Sequence, residues 1–170
     1  PVTLSANLHY ALSGRRLQIN SARLELENLL TLNIGGHLVL KGSQTACDMT
    51  LQASPAPAAP LFAAFIAEPM RYRQPALAAA IVDGLLSAEV HVAAEGKRRS
   101  LRGHVDWQSG NAVTADKEVR LEGIELRLPL WYQSEGADRG DPPMKGKLTV
   151  RRATAPKLPA QELVLPFDVL

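Results

Sequence analysis

The stretch VRLEGIELRLPLWYQ, residues 119–133, alternates apolar and charged side chains and then changes step at a glycine. Val119 and Leu121 share one parity, whereas Ile124, Leu126, Leu128 and Leu130 share the other. Successive strand side chains point to opposite faces, so the apolar side would switch faces here unless Gly123 takes up one residue. The pattern predicts a bulged β-strand with a single greasy face and Gly123 as its structural pivot. That face must serve either as ordinary core or as a surface that a ligand touches.

The same rhythm runs outward in both directions. Upstream, LRGHVDW (101–107) aligns Leu101, Gly103, Val105 and Trp107 opposite Arg102, His104 and Asp106, and SAEVHVAAEG (87–96) is a strand carrying Val90 and Val92. Near the start, VTLSANLHYAL places Val2, Leu4, Ala6, Leu8 and Tyr10 on one side. RRLQIN and ARLELENLLTLNI follow, the second slipping phase near Asn28. GGHLVLKG reads as a short strand bounded by Gly35, Gly36 and Gly42, and TACDMTLQA as another. Downstream, KGKLTVRRATAPKLPAQELVLPFDVL continues the alternation beyond EGADRGDPP (135–143), which reads as a polar hairpin loop. Roughly eight to twelve strands are expected, in a mainly β fold with one helical segment. Such a chain lacks the regular strand–helix alternation of a parallel α/β fold.

The helical segment is expected at about residues 60–86. SPAPAAP (54–60) is unsuited to a central strand, and Leu61, Phe62, Phe65 and Ile66 fall at helical spacing, as do Leu77, Ile81 and Leu85. Pro69 and Pro75 divide it. Phe62, Phe65 and Ile66 are expected to be buried against the sheet.

At 170 residues, the chain is expected to form one β-rich domain, 1–170. It opens at Pro1 without an initiator Met and stops at Leu170 within a strand-like run, which reads as a piece of a longer protein. A net charge of +2 and 5% aromatics argue against nucleic acid as a partner, and KRRSLR (97–102) reads as a solvated turn. Cys47 stands alone, so no disulfide framework is possible, and it reads as a buried or half-buried thiol.

The residues for an active site do not assemble in the sequence. His9, His37, His91 and His104 lack metal-ligand spacing, and only His104 and Asp106 pair a histidine with a carboxylate on one strand face. Nucleophile elbow, phosphate-binding glycine loop and paired cysteines are all missing. Glu25, Glu27, Glu122 and Glu125 read as the solvated face of the sheet. The expectation is a protein that is not an enzyme, with no catalytic residue, metal or cofactor.

The order of a β-meander, an Ala/Leu helix, GLLSAEVHVAAEGKRRSLRGHVDWQSG, VRLEGIELRLPL and the C-terminal strands resembles the AsmA-like proteins of Gram-negative envelopes. The YdbH-like branch is nearest, through G-I-x-L-x-L-P-L at Gly123–Leu130 and G-K-L-T-V from Gly146. The resemblance covers about Leu4 to Leu170 and is one of rhythm. It implies a curved antiparallel sheet forming a half-open groove, held in the periplasm by an inner-membrane tether, that passes phospholipid or another apolar ligand toward the outer membrane. The residues expected to line the groove are Val90, Val92, Leu101, Val105, Trp107, Leu121, Ile124, Leu126 and Leu128. The sequence supplies no compact cationic pocket on that side, so little headgroup preference is expected. Two other readings stand beside it: a closed β-sandwich, and an envelope assembly module that recruits proteins through an exposed edge strand.

Overall fold

Alternating side chains need a pleated strand, and the chain provides nine of them in the computed structural model, which describes residues 1–26, 29–41, 44–134, 144–156 and 158–169. The strands are β1 (Val2–Ala11), β2 (Arg16–Leu26), β3 (Leu30–Lys41), β4 (Gln44–Pro57), β5 (Ile81–Glu95), β6 (Arg98–Val113), β7 (Arg120–Gln133), β8 (Met144–Ala155) and β9 (Leu158–Val169). They form one antiparallel sheet in the order β1 to β9, each strand bonded to its sequence neighbours. The sheet does not close, and among the described residues no second sheet lies across it. The architecture is therefore a curved, half-open groove and not a sandwich.

Between β4 and β5 the chain forms a broken helical strap. It consists of α1 (Ala58–Phe62), a π-helical turn (Ala63–Ala67), α2 (Glu68–Met70) and α3 (Pro75–Ala78). Antiparallel order sends the strap, the β6–β7 connection and the β8–β9 connection to one end of the sheet, here called the strapped end. The β1–β2 and β5–β6 turns lie at the other, the open end.

Bulges keep the apolar phase constant where the sequence slips. Register shifts occur in β2 between Ile19 and Ala22, in β6 between Trp107 and Gly110, and in β8 between Val150 and Ala153. On β7 the slip falls at Gly123: Glu122 faces Asn111 and Ile124 faces Gly110. Gly123 has φ +64°, and its N–H donates to Asn111 Oδ1 at 3.2 Å. A β-carbon there would lie 2.9 Å from Arg151 Cβ, so both its conformation and its space call for glycine.

An open sheet hides little. The described residues bury only five apolar side chains, Ala56, Ala58, Ile124, Pro129 and Val150. Total accessible surface is 11825 Å², against about 8,200 Å² for a compact monomer of 18.4 kDa. The difference is the uncovered face of the sheet.

Three expectations need correction. The strap ends before Ile81, so Ile81 and Leu85 belong to β5 and not to a helix over 60–86. Their spacing of four fits a helix turn, but it also puts both side chains on one face of a strand. SPAP ends β4 and, as expected, is not a central strand there: β4 pairs with β3 only as far as Ala53, and Ala56 and Pro57 pair with β5 alone. The prolines thus sit on a locally one-sided strand, where a missing N–H costs no ladder bond. Gly35 and Gly36 lie inside β3, and the preceding reversal falls between Leu26 and Leu30. Phe65 and Ile66 are exposed, at 66% and 41%, and only Phe62 of the three is partly covered. The 135–143 loop lies outside the described residues.

Candidate apolar groove

Register fixes which side chains share a face. One row crosses seven strands through Leu4, Leu24, Leu32, Ala53, Ala88, Val105 and Leu128. The next row toward the strapped end runs Ala56, Leu86, Trp107, Leu126, Leu148 and Leu165. Toward the open end, Val92, Leu101 and Tyr132 form a third. The apolar face is therefore continuous from β1 to β9, and most charged side chains occupy the other, which also carries Trp131 and Val164.

All nine residues expected to line the groove project from this one face, but they are not equivalent. Val105, Trp107 and Leu126 line an apolar cleft of about 500 Å³ between the sheet and the strap. Val90, Val92, Leu101 and Leu128 continue the face outside it, half-buried. Ile124 is 2% exposed and packs opposite Val150, so it is core and touches no ligand in this conformation. Leu121 lies past the Gly123 bulge and borders a separate polar cleft.

The strap supplies lining residues that alternation alone does not reveal. Leu61, Phe62, Phe65 and Ile66 roof the cleft, and Leu30, Val82 and Leu86 extend its floor. Their signal was the doubled apolar pair, 61/62 and 65/66, one helical turn apart. Trp107 anchors the floor by donating its Nε1–H to the Asp83 carbonyl at 3.0 Å. Its ring lies against Gly110, where a β-carbon would come within 2.6 Å of the indole.

The polar face is laced with surface ion pairs. Arg23 meets Glu25 at 2.7 Å and His91 meets Asp48 at 3.0 Å, both pairs well exposed. His104 lies 3.3 Å from Asp106, which also faces Arg127 at 3.8 Å. The His–carboxylate pair singled out in the sequence thus belongs to a cross-strand network on the face away from the groove. At the strapped end, a polar cleft of about 1070 Å³ is bordered by Asn111, Arg120, Arg151, Arg152 and Glu162, with Arg120 held near Glu122 at 3.7 Å. In the nearby turn after β6, the Thr114 hydroxyl and the Glu118 N–H donate to the Asp116 carboxylate and hold it below the usual carboxylate range.

Among the described residues, no group of three or more His, Cys, Asp or Glu side chains is placed to hold a metal ion, and no helix is long and apolar enough to cross a membrane. Cys47 is half-buried on the apolar face, opposite Leu38 and Ala94. No family model matches this chain, and neither the curated proteins nor the solved structures include a match to it.

Proposed function

We propose that this chain is a non-enzymatic segment of a periplasmic protein, tethered to the inner membrane in its full-length form, that holds phospholipid acyl chains on the apolar face and passes them along it. The observation that carries this reading is a continuous apolar face over nine strands that the protein's own chain leaves largely uncovered. Water is a poor partner for such a surface. An acyl chain laid on it gains about 0.8 kcal/mol per methylene removed from water, and a face without hydrogen-bonding side chains lets the chain slide. A second occupant is compatible with the sheet edges: β1 is exposed along nearly its whole length, which favours strand addition by an envelope protein.

Leu126 discriminates between a ligand surface and a core that closes in solution. In an open groove, Leu126→Lys lets the ammonium snorkel outward, so the fold stands while lipid carriage falls. In a closed core, the same lysine is buried without a partner and the domain fails to fold. Native mass spectrometry of protein purified from bacterial cells, together with a thermal melt, reads both. Phospholipid adducts on the wild type and their loss from a folded Leu126→Lys variant are expected. Folded wild-type protein without adducts, even after incubation with phospholipid, would sink the proposal.

A further inference from the structure

The meander sorts charge between the two ends of the sheet. Arg15 and Arg16 leave the β1–β2 turn and Lys97, Arg98 and Arg99 the β5–β6 turn, with Arg16 and Arg98 in one cross-strand row, so all five reach the open end and all are exposed. Against them stand Glu95, in the same row, and Asp48, two positions further in and paired with His91. At the strapped end, cations and carboxylates interleave, as in Arg120 with Glu122 and Arg23 with Glu25. The basic row is invisible in the sequence because its members come from two separate places in the chain.

The same end exposes the tips of the apolar face. Leu12 is 82% exposed and Tyr132 57%, with Tyr10 and Leu40 also uncovered. The turns that carry the cations are held in place. The Leu40 N–H donates to the Arg15 carbonyl at 2.9 Å. Ser134 Oγ accepts from the Arg99 N–H at 2.9 Å and donates to the Lys97 carbonyl at 3.1 Å. At about 4.8 Å per strand the row spreads over roughly 20 Å, more than two Debye lengths at physiological salt.

We propose that the open end of the sheet docks on the surface of an anionic phospholipid bilayer. Lys and Arg side chains attract acidic headgroups, and tyrosine and leucine beside them enter the boundary between headgroups and acyl chains. Charge complementarity alone would also admit a nucleic acid, but the leucine and tyrosine tips suit an interface with hydrocarbon behind it. Docked in this way, the uncovered face meets the bilayer edge-on, with the strap directed away from it. This surface is distinct from the groove, so docking and lipid carriage are separately measurable.

Flotation with vesicles of phosphatidylglycerol in phosphatidylcholine tests it. Wild-type protein is expected to float with them, to be released by salt, and to ignore vesicles of phosphatidylcholine alone. The double change Arg98→Glu with Arg99→Glu is expected to weaken flotation by roughly tenfold or more. Arg151→Glu with Arg152→Glu, at the other end, should leave it intact, and Leu12→Ser with Tyr132→Ser should weaken it without altering salt release. Thermal melts accompany each variant, and Arg15→Glu with Arg16→Glu replaces the first pair if that one misfolds. Equal flotation on phosphatidylcholine, equal loss from the Arg151/Arg152 variant, or binding of duplex DNA as tight as of anionic vesicles would overturn the proposal. Lipid adducts in native mass spectra are unchanged by the charge reversals if docking and carriage are separate, so a failed docking result leaves the groove reading to its own test.

Discussion

Gly123 has three constraints acting on one residue: a positive φ, the Arg151 side chain where a β-carbon would be, and an N–H bonded to Asn111. Gly123→Val must change the backbone or displace Arg151, and is expected to cost about 1–3 kcal/mol, read as a lowered melting temperature. An unchanged melt would mean that the bulge is not needed for register. This residue was legible because a parity change in a strand leaves few alternatives: the face flips or a residue is ejected. Trp107 was legible only in part. Its position on the apolar face follows from alternation with Val105, but its resting place on Gly110 depends on the β6 bulge, which no local pattern announces. Ile124 reads in sequence like Leu126, yet one is core and the other lines the cleft. Their difference comes from Val150 on the neighbouring strand, and sequence spacing says nothing about that neighbour's packing.

At the scale of elements, the strap is where sequence reading and structure part most. Leucines and isoleucines four apart satisfy a helix through Leu85, but β5 competes for Ile81 onward and wins, since β6 pairs with it from Ile81 and β4 joins from Leu85. The proline-rich end of β4 survives as a strand for the complementary reason that it has a neighbour on one side only. Phe65 carries the practical consequence. Because it is exposed at the mouth of the cleft, Phe65→Asp is expected to leave stability within about 0.5 kcal/mol of wild type while reducing bound lipid. A collapse of the thermal transition would show that Phe65 is buried in solution and that the strap seals the cleft. The strands themselves were legible nearly throughout, because a sheet with one wet face imposes a clean two-residue period.

For the whole molecule, the uncovered face alters how unfolding responds to solvent. A chain of this mass folded compactly hides more surface than this one does, so its urea m-value is expected about one fifth below that of a compact 170-residue domain. A full-sized m-value in urea titration would indicate that the face closes on itself or on a second copy. The open architecture was legible as a tendency, through many leucines and valines with few aromatics to fill a deep core. Which residues meet at each end of the sheet was not. Arg15 and Lys97 are far apart in sequence and reach the same end of the sheet only because each turn reverses the chain.

The nearest-neighbour order of the strands has a kinetic side. Every strand pairs only with the one made just before and the one made just after it, so each closure spans a short loop and adds to an edge already present. Assembly can therefore proceed hairpin by hairpin in the direction of synthesis, without waiting for a distant segment to arrive. A sheet of this kind can also grow or shrink by whole hairpins while the remaining pairings stay as they were.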